Sequence, residues 1–242
     1  MRLQSECISS GLLRDAVPLI GRMHDDVIWR LSSVKRYLRQ LLTDDEIVAI
    51  MMYTNDITSV WEEGVDDPAA YVQLYATYNR MCRTLKMMTA DQQWIELSTW
   101  HCFSYNFTSG LLKLPVFRDG RPLFRALRVA QVGGMRLFCS KLRRDGWIYW
   151  NQVSSCSLSI DVAISIIDDC DADDAIVFEL NCVEGRDVAM LSVHPREIEV
   201  VIPMGAALQY QSEYWYRGYK IVKATGIRTC FELGRSPVCA DF

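Results

Sequence analysis

The stretch HPREIEVVIP, residues 194–203, decides how the rest of the sequence is interpreted. It places Glu197 and Glu199 two positions apart and runs into an apolar segment typical of a strand. On an extended backbone, residues i and i+2 project to the same face, so both acids would crowd into one small space. Most Glu-x-Glu triplets belong to a capped turn or a solvated strand end. Only the rest of the sequence can decide whether this one takes part in catalysis.

Two stretches upstream carry polar side chains within strand patterns. In YWNQVSSCSLS, Ser155 and Ser157 alternate onto one face, where hydroxyls can hold a buried carboxylate; a serine-rich edge strand is the alternative. In LFRALR, Arg125 lies in the middle of an apolar strand, where an unpaired guanidinium is costly. Arg125 therefore needs an anion, either a structural carboxylate or a ligand phosphate, which its planar fork suits well.

The N-terminal half has the period of helices. In DDVIWRLSSVKRYLRQLL, apolar residues recur every three or four positions, which predicts an amphipathic helix. Thr43 and Glu46 form a capping box that begins a second helix. A third helix is expected to begin near Pro68, and a fourth to be capped by Thr89 and Gln92.

After KLPVFRDGRP the period changes to two. The strand candidates are RPLFRALRVAQ, WIYWNQVSSCSLS, DAIVFELN, VAMLSV, EIEVVIP, YRGYKIVKATG and IRTCFEL, with one short helix at SIDVAISIIDD. Helices followed by a run of strands predict an α+β fold. We expect one domain over residues 1–242, with a helical lobe of about 1–115 and a mostly β core of about 116–242.

Composition narrows the class of protein. Half of the 242 residues are apolar, 23% are charged and the net charge is −4, which predicts a globular chain and argues against a nucleic-acid surface. The nine cysteines show no CxxC or paired Cys/His spacing, so we expect no metal site and a reducing compartment. The sequence has neither a signal-peptide core nor an apolar run of about 18 residues. It predicts no membrane span and a cytoplasmic protein, or one secreted without a Sec signal.

The order of these motifs resembles the R-S-E mono-ADP-ribosyltransferases, in which an Arg strand, a Ser-x-Ser strand and E-x-E follow one another. FELN…GRDVAMLSVHPREIEVVIP is similar to the family's strand–loop–strand, where a Gly-x-x-I/V turn and a Ser precede P-x-E-x-E-V-L-I-P. LTDDEIVAIMMYT resembles its helix ending in Tyr-Thr, and YATYNRMCRTL resembles the following Asn-x-x-x-Arg helix. The likeness covers roughly residues 40–210. Each motif alone is poorly specific, whereas all of them in this order are hard to obtain by chance.

The resemblance implies a fold, a substrate and the main catalytic residues. It implies a helical lobe packed on a two-sheet β core, with NAD bound between them and ADP-ribose transferred to a protein side chain as nicotinamide leaves. By match, Arg125 would bind the NAD diphosphate, Ser155 would position the catalytic acid, and Glu199 would be that acid. In this family the first Glu of E-x-E, here Glu197, marks transfer to arginine.

The resemblance also gives a set of secondary residues. Ser157 joins Ser155 as a candidate for NAD binding, together with Asn79 and Arg83, which lie four apart on one helical face. A helix-surface pair is the alternative for Arg83. Ser192 and His194 lie where the family's acceptor-recognition loop lies, although a loop His is usually just solvated.

Two departures from the family pattern are visible. Its Ser-Thr-Ser appears as Ser155-Cys156-Ser157, and alternation predicts that Cys156 faces away from the serines. Its Arg-Gly appears as Arg125-Ala126.

The sequence thus favours an NAD-dependent arginine mono-ADP-ribosyltransferase that needs no metal. Its partners would be NAD and an acceptor protein with an exposed arginine, in a host cytosol if the protein is an effector. One alternative is an NAD glycohydrolase, in which water replaces the acceptor. Another is a catalytically silent domain of this fold that binds proteins, which the aromatic stretches EYWYRGY and WIYW would suit.

Overall fold

The computed structural model describes residues 36–54, 59–60, 72–117, 119–129, 134–168, 171–192 and 198–229. The chain divides into two compact units, Met1–Pro115 with Met190–Pro195, and Val116–Ala189 with Arg196–Phe242. That they form a single domain stays a prediction. No helix in the described ranges is long and apolar enough to cross a membrane.

The first unit is mainly helical. Its described elements are α1 (Arg36–Leu41), α2 (Asp44–Tyr53), β1 (Ser59–Val60), β2 (Val72–Gln73), α3 (Leu74–Thr84), a 3₁₀ turn (Leu85–Met87) and α4 (Ala90–Lys113). The two short strands pair antiparallel. The first predicted helix falls within the described residues only from Arg36 onward.

Both predicted capping boxes are confirmed, and the predicted start of the third helix is wrong. The Thr43 hydroxyl accepts from the Glu46 amide while the Glu46 carboxylate accepts from the Thr43 amide, and Thr89 and Gln92 do the same. Helix α3 begins at Leu74, because the residues just before it are paired in β2. The proline on which the earlier start rested lies outside the described residues.

The core of this unit contains a cluster of aromatic rings. Tyr53 on α2 stacks on Phe107 of α4 with ring centroids 4.6 Å apart. Tyr78 of α3 meets Phe103 edge-on at 5.0 Å and lies 5.4 Å from Trp100. Such pairs contribute about 0.5–1.5 kcal/mol each beyond burial of their area. Ring contacts thus link all three helices.

A buried carboxylate joins α2 to α4. Glu46 is 3% exposed and accepts hydrogen bonds from Ser109 Oγ at 2.6 Å and from Lys113 Nζ at 2.7 and 2.8 Å. Burial raises the pKa of the Glu46 carboxyl, but the bonds from Lys113, Ser109 and the Thr43 amide outweigh it and hold the pKa below its usual range. The ionised form is therefore the one that the fold stabilises.

We expect Glu46→Gln to lower the free energy of unfolding by about 2 kcal/mol at pH 7, because it removes a charge that three donors satisfy. A carboxyl with a lowered folded-state pKa stabilises the protein fully above its unfolded pKa of about 4.3 and loses that contribution as pH falls further. Urea unfolding at pH 7 and pH 3.5 should show the difference from wild type shrinking in acid. Glu96→Gln on α4 is the control; a pH-independent difference would contradict the assignment.

The second unit contains two sheets. Its strands are β3 (Leu123–Arg128), β4 (Trp147–Trp150), β5 (Ser154–Cys156), β6 (Ala175–Asn181), β7 (Arg186–Asp187), β8 (Val200–Ile202), β9 (Ala206–Tyr216) and β10 (Tyr219–Thr229). The five-stranded sheet has the order β3-β6-β10-β9-β4, in which only β6 and β10 pair in parallel, and the three-stranded sheet has the order β5-β8-β7. The other described elements of the unit are helices α5 (Gly134–Asp145) and α6 (Ile160–Ser165) and a 3₁₀ turn (Ala172–Asp174). These features confirm the predicted α+β class and its two-sheet core.

One apolar cluster joins the two sheets. It contains Leu123 and Phe178 from the larger sheet, and Cys156, Val200 and Ile202 from the smaller one, all at most 3% exposed. Because these apolar side chains pack on the inner faces of both sheets, they fix which residues of β3, β5 and β8 face away from the cluster. This placement determines where the polar side chains of these strands lie.

Several predicted elements of this unit need correction. Helix α5 was not predicted, although Met135, Phe138, Cys139 and Leu142 recur at helical spacing on its buried face. Residues 188–192, the described part of VAMLSV, do not form a strand, since the backbone turns after β7. YRGYKIVKATG does not form one strand, because Arg217 and Gly218 have φ of 48° and 82° and make the two-residue turn between β9 and β10.

Candidate active site

Ser155 and Glu199 meet across the small sheet. Strands β5 and β8 pair antiparallel, with Ser155 opposite Val201. Glu199 lies two positions before Val201 and is therefore the diagonal neighbour of Ser155 on this face. The Ser155 hydroxyl donates to Glu199 Oε1 at 2.5 Å, and Glu199 is only 5% exposed. The serine therefore fixes one oxygen of a buried carboxylate.

Arg125 reaches the same place from the larger sheet. Its Nη1 donates to the backbone carbonyl of Ser155 at 2.6 Å. The strands are tied together beside this bond, because Phe124 and Ser157 exchange backbone hydrogen bonds of 2.7 and 2.9 Å. Among the described residues, none accepts a hydrogen bond from the buried Nε of Arg125. The guanidinium is therefore anchored at one nitrogen and keeps donor capacity for an anion.

Alternation along β3 explains why Arg125 points inward. Leu123 and Leu127 belong to the cluster between the sheets, whereas Phe124 and Ala126 pack with the cluster around α6. Arg125 lies between the two leucines on their face. Arg128 is exposed and lies on the other face, so the structure separates the two arginines of this strand.

The two residues after Ser155 have different environments. Cys156 packs in the core between the sheets, where burial raises the pKa of its thiol to about 12, so it faces away from Ser155 as predicted. The Ser157 hydroxyl accepts from the amide of Ser159, just before α6, at 3.0 Å. A role of Ser157 in NAD binding stays a prediction.

The geometry of E-x-E differs from the sequence argument. Ile198 has φ of 46°, and β8 begins only at Val200, so the backbone before Glu199 is not extended. Strand alternation requires an extended chain, so it does not apply at Ile198, and a shared face for Glu197 and Glu199 stays a prediction. Glu197 itself lies outside the described residues, and its role stays a prediction.

The remaining predicted residues lie in the first unit or outside the described ranges. Asn79 is buried on α3 and its Nδ2 donates to the Tyr53 hydroxyl at 3.0 Å, while Arg83, one turn later, is exposed. Ser192 is buried, and His194 lies outside the described residues. The roles predicted for Asn79, Arg83, Ser192 and His194 stay predictions.

The small sheet contains a buried charge that was not predicted from the sequence. Arg186 on β7 lies opposite Val201 of β8 and is 9% exposed. A Cβ at Gly185 would overlap Val200 Cγ1, so glycine is required where β7 comes alongside β8. The sequence signal was a charged residue directly after this glycine, but only the register of the strands shows which residues it faces.

The site offers a guanidinium, a hydroxyl and a carboxylate as binding groups. Within the described ranges, no three His, Cys, Asp or Glu side chains lie close enough together to hold a metal ion. The arrangement suits an anionic ligand at Arg125 and a developing positive charge at Glu199.

Comparison with known proteins gives structural but not sequence matches. No protein-family model matches the chain, and no curated protein matches it in sequence. The ADP-ribosyltransferase HopU1 of Pseudomonas syringae pv. tomato DC3000 is similar with a TM-score of 0.60 at 18% identity, over 84% of this chain and 87% of HopU1.

Two further solved structures are similar over most of their length. Exoenzyme S from Pseudomonas aeruginosa gives a TM-score of 0.55 at 14% identity, over 98% of this chain and 93% of that one. The ADP-ribosyltransferase Vis from Vibrio splendidus gives 0.52 at 13% identity, over 92% and 88%. Together with the two-sheet core, these likenesses show that the chain has the fold of the mono-ADP-ribosyltransferases.

Proposed function

We propose that this protein transfers ADP-ribose from NAD to an arginine side chain of a target protein and releases nicotinamide. The observation that carries the proposal is the contact of Ser155 Oγ with Glu199 Oε1 at 2.5 Å, beside a guanidinium that bonds the Ser155 carbonyl. Residues far apart in the sequence thus form one group from two sheets. A degenerate domain of this fold would be expected to lose at least one of Arg125, Ser155 and Glu199.

The first chemical step is cleavage of the bond between nicotinamide and ribose. Its electron pair passes to the nicotinamide ring, and the ribose acquires oxocarbenium character as in glycoside hydrolysis. Glu199, held by Ser155, stabilises the positive charge more in the transition state than in the ground state. Arg125 binds the diphosphate and so fixes the position of the ribose.

The second step forms the bond to the acceptor. A guanidinium nitrogen attacks the anomeric carbon and loses a proton as the new carbon–nitrogen bond forms. Because a cationic guanidinium is a poor nucleophile, it needs a carboxylate to orient it and remove that proton, and we assign this role to Glu197. Support for a guanidinium acceptor comes from Vis, which has been solved in complex with agmatine, itself a guanidinium compound.

Nicotinamide release, measured with NAD alone and with NAD plus an arginine-rich protein or agmatine, tests the proposal. We expect release that the acceptor accelerates, with ADP-ribose covalently attached to it. Release that no acceptor changes would identify an NAD glycohydrolase instead. No release under either condition would favour the silent protein-binding domain.

Glu197→Ala is expected to reduce transfer to arginine at least about 10²-fold while leaving hydrolysis of NAD within a few-fold of wild type, because only the acceptor needs this base. Labelled ADP-ribose on the acceptor and free nicotinamide should be quantified in the same reaction. Glu184→Ala, at an exposed acid of the same unit, is the matched control. Equal losses of transfer and hydrolysis would contradict the division of roles between the two glutamates.

A further inference from the structure

Helix α4 presents an uncharged face to solvent. It runs over the 24 residues Ala90–Lys113, and its sequence contains no Asp, Glu, Lys or Arg from Leu97 to Leu112. The exposed face of a helix normally carries charged side chains. Here it carries one stripe of six exposed residues, Trp94, Ser98, His101, Tyr105, Thr108 and Leu112. Trp94 is 73% and Tyr105 66% exposed, so the two largest side chains of the stripe are open to solvent.

The composition of this stripe is typical of a protein interface. Tyr and Trp are enriched at the centres of interfaces, whereas charged residues are depleted there. A helix that lies on a lipid surface instead carries Lys and Arg beside its apolar face. The one Lys or Arg of α4 is Lys113, and its Nζ donates to the Glu46 carboxylate at 2.7 Å. The stripe therefore suits contact with a protein better than contact with a lipid surface.

The spacing along the stripe is the same in both directions. Successive members lie four, three, four, three and four residues apart, which is the heptad pattern of helices that pack side by side. A second α4 packed antiparallel places each member opposite another member: Trp94 opposite Leu112, Ser98 opposite Thr108, and His101 opposite Tyr105. The small side chains of Ser98 and Thr108 let the two helices approach closely, and the His101 ring can donate to the Tyr105 hydroxyl. The stripe is therefore complementary to a second copy of itself.

Charge and area also favour a second copy. Because the stripe is uncharged, two copies bring no like charges together, and antiparallel packing sets the positive end of each helix dipole beside the negative end of the other. An aromatic side chain buries about 150–250 Å², so the exposed parts of Trp94 and Tyr105 in two copies would bury about 400–700 Å². The rest of the stripe and Leu97 raise the total to about the 1,000 Å² that a specific interface needs.

We propose that this stripe is a self-association surface, through which two copies of the chain pair antiparallel along α4 in a dimer with two-fold symmetry. The same patch of each copy forms such a contact, as in most symmetric dimers. Its area lies at the low end for specific complexes, so monomer and dimer exchange at micromolar concentrations. The dimer does not depend on the proposed function.

Sedimentation equilibrium of the wild type between about 1 and 100 µM tests the dimer directly. We expect the average mass to rise from that of the 27.8 kDa chain toward twice that value. Tyr105→Glu places two like charges at the centre of the contact and should raise the dissociation constant at least about 10-fold. Leu137→Glu, at an exposed leucine of α5, is the control and should dimerise like the wild type. A wild-type monomer throughout this range, as expected if a different protein or a lipid surface covers the stripe, would overturn the proposal.

An exchange of charges tests the antiparallel register. Ser98→Glu and Thr108→Lys should each weaken the dimer, because each puts a charge in the contact opposite a neutral residue. The double variant should dimerise at least about 10-fold more tightly than either single variant, since each Glu then faces the Lys of the other copy. Both positions are exposed, so the circular dichroism spectra of all three variants should match that of the wild type. A double variant that dimerises no more tightly than the single variants would contradict the register and with it the proposal.

Discussion

Replacement of Glu199 by glutamine is expected to lower nicotinamide release by about 10³-fold. Glutamine keeps the size of the side chain and can still accept from the Ser155 hydroxyl, but it carries no charge to stabilise the developing oxocarbenium ion. Loss of one preorganised electrostatic group of this kind costs about 10²–10³-fold in rate, and here the group carries a full charge. The measurement is the initial rate of nicotinamide formation at saturating NAD, so that the change falls on kcat.

Two controls make this result interpretable. The far-UV circular dichroism spectrum of Glu199→Gln should match that of the wild type, because the substitution is isosteric. Glu184→Gln, at an exposed acid of the same unit, should release nicotinamide at the wild-type rate. Survival of wild-type activity in Glu199→Gln would mean that another residue is the catalytic acid.

Arg125→Lys is expected to lower kcat/KM for NAD by about 10²-fold. Lysine keeps the charge, but its three donors lie on a single nitrogen, so it cannot reproduce the planar fork that reaches the Ser155 carbonyl from one nitrogen and a diphosphate oxygen from the others. The Ser155 strand would also lose the bond of 2.6 Å that ties it to β3. Displacement of a positioned group by about 1 Å is enough for a loss of this size. The measurement is the rate of nicotinamide release over a range of NAD concentrations.

Arg128→Lys is the matched control for this prediction. Arg128 lies on the same strand but on the opposite face and is exposed, so the change should leave kcat/KM within about two-fold of wild type. Equal effects at the two positions would show that β3 contributes only general positive charge. That result would remove the structural basis for assigning the diphosphate to Arg125.

Structural features that are set by residues a few positions apart in the sequence were predictable. The capping boxes at Thr43 and Thr89 need only residues three positions apart, and both are present in the structure. The grouping of Arg125, Ser155 and Glu199 was predictable for a different reason, since no local rule brings them together. It followed from the resemblance to a family, and the two-sheet core supplies the physical cause.

The misses have identifiable causes. Helix α5 was not predicted because its residues directly follow a segment with the pattern of a strand, although Phe138 and Leu142 lie on one helical face. The left-handed backbone at Ile198, inside E-x-E, could not be read from spacing, because it is set by the chain around it. Arg186 could not be placed without the register of β7 on β8, which only the folded sheet defines.

A crystal structure of the Glu199→Gln protein with NAD tests most directly whether Arg125, Ser155 and Glu199 form one dinucleotide site. The account predicts diphosphate oxygens within hydrogen-bond distance of the Arg125 guanidinium and the anomeric carbon of the nicotinamide ribose beside the side chain at position 199. NAD bound without contact to Arg125, or with its anomeric carbon away from position 199, would contradict it.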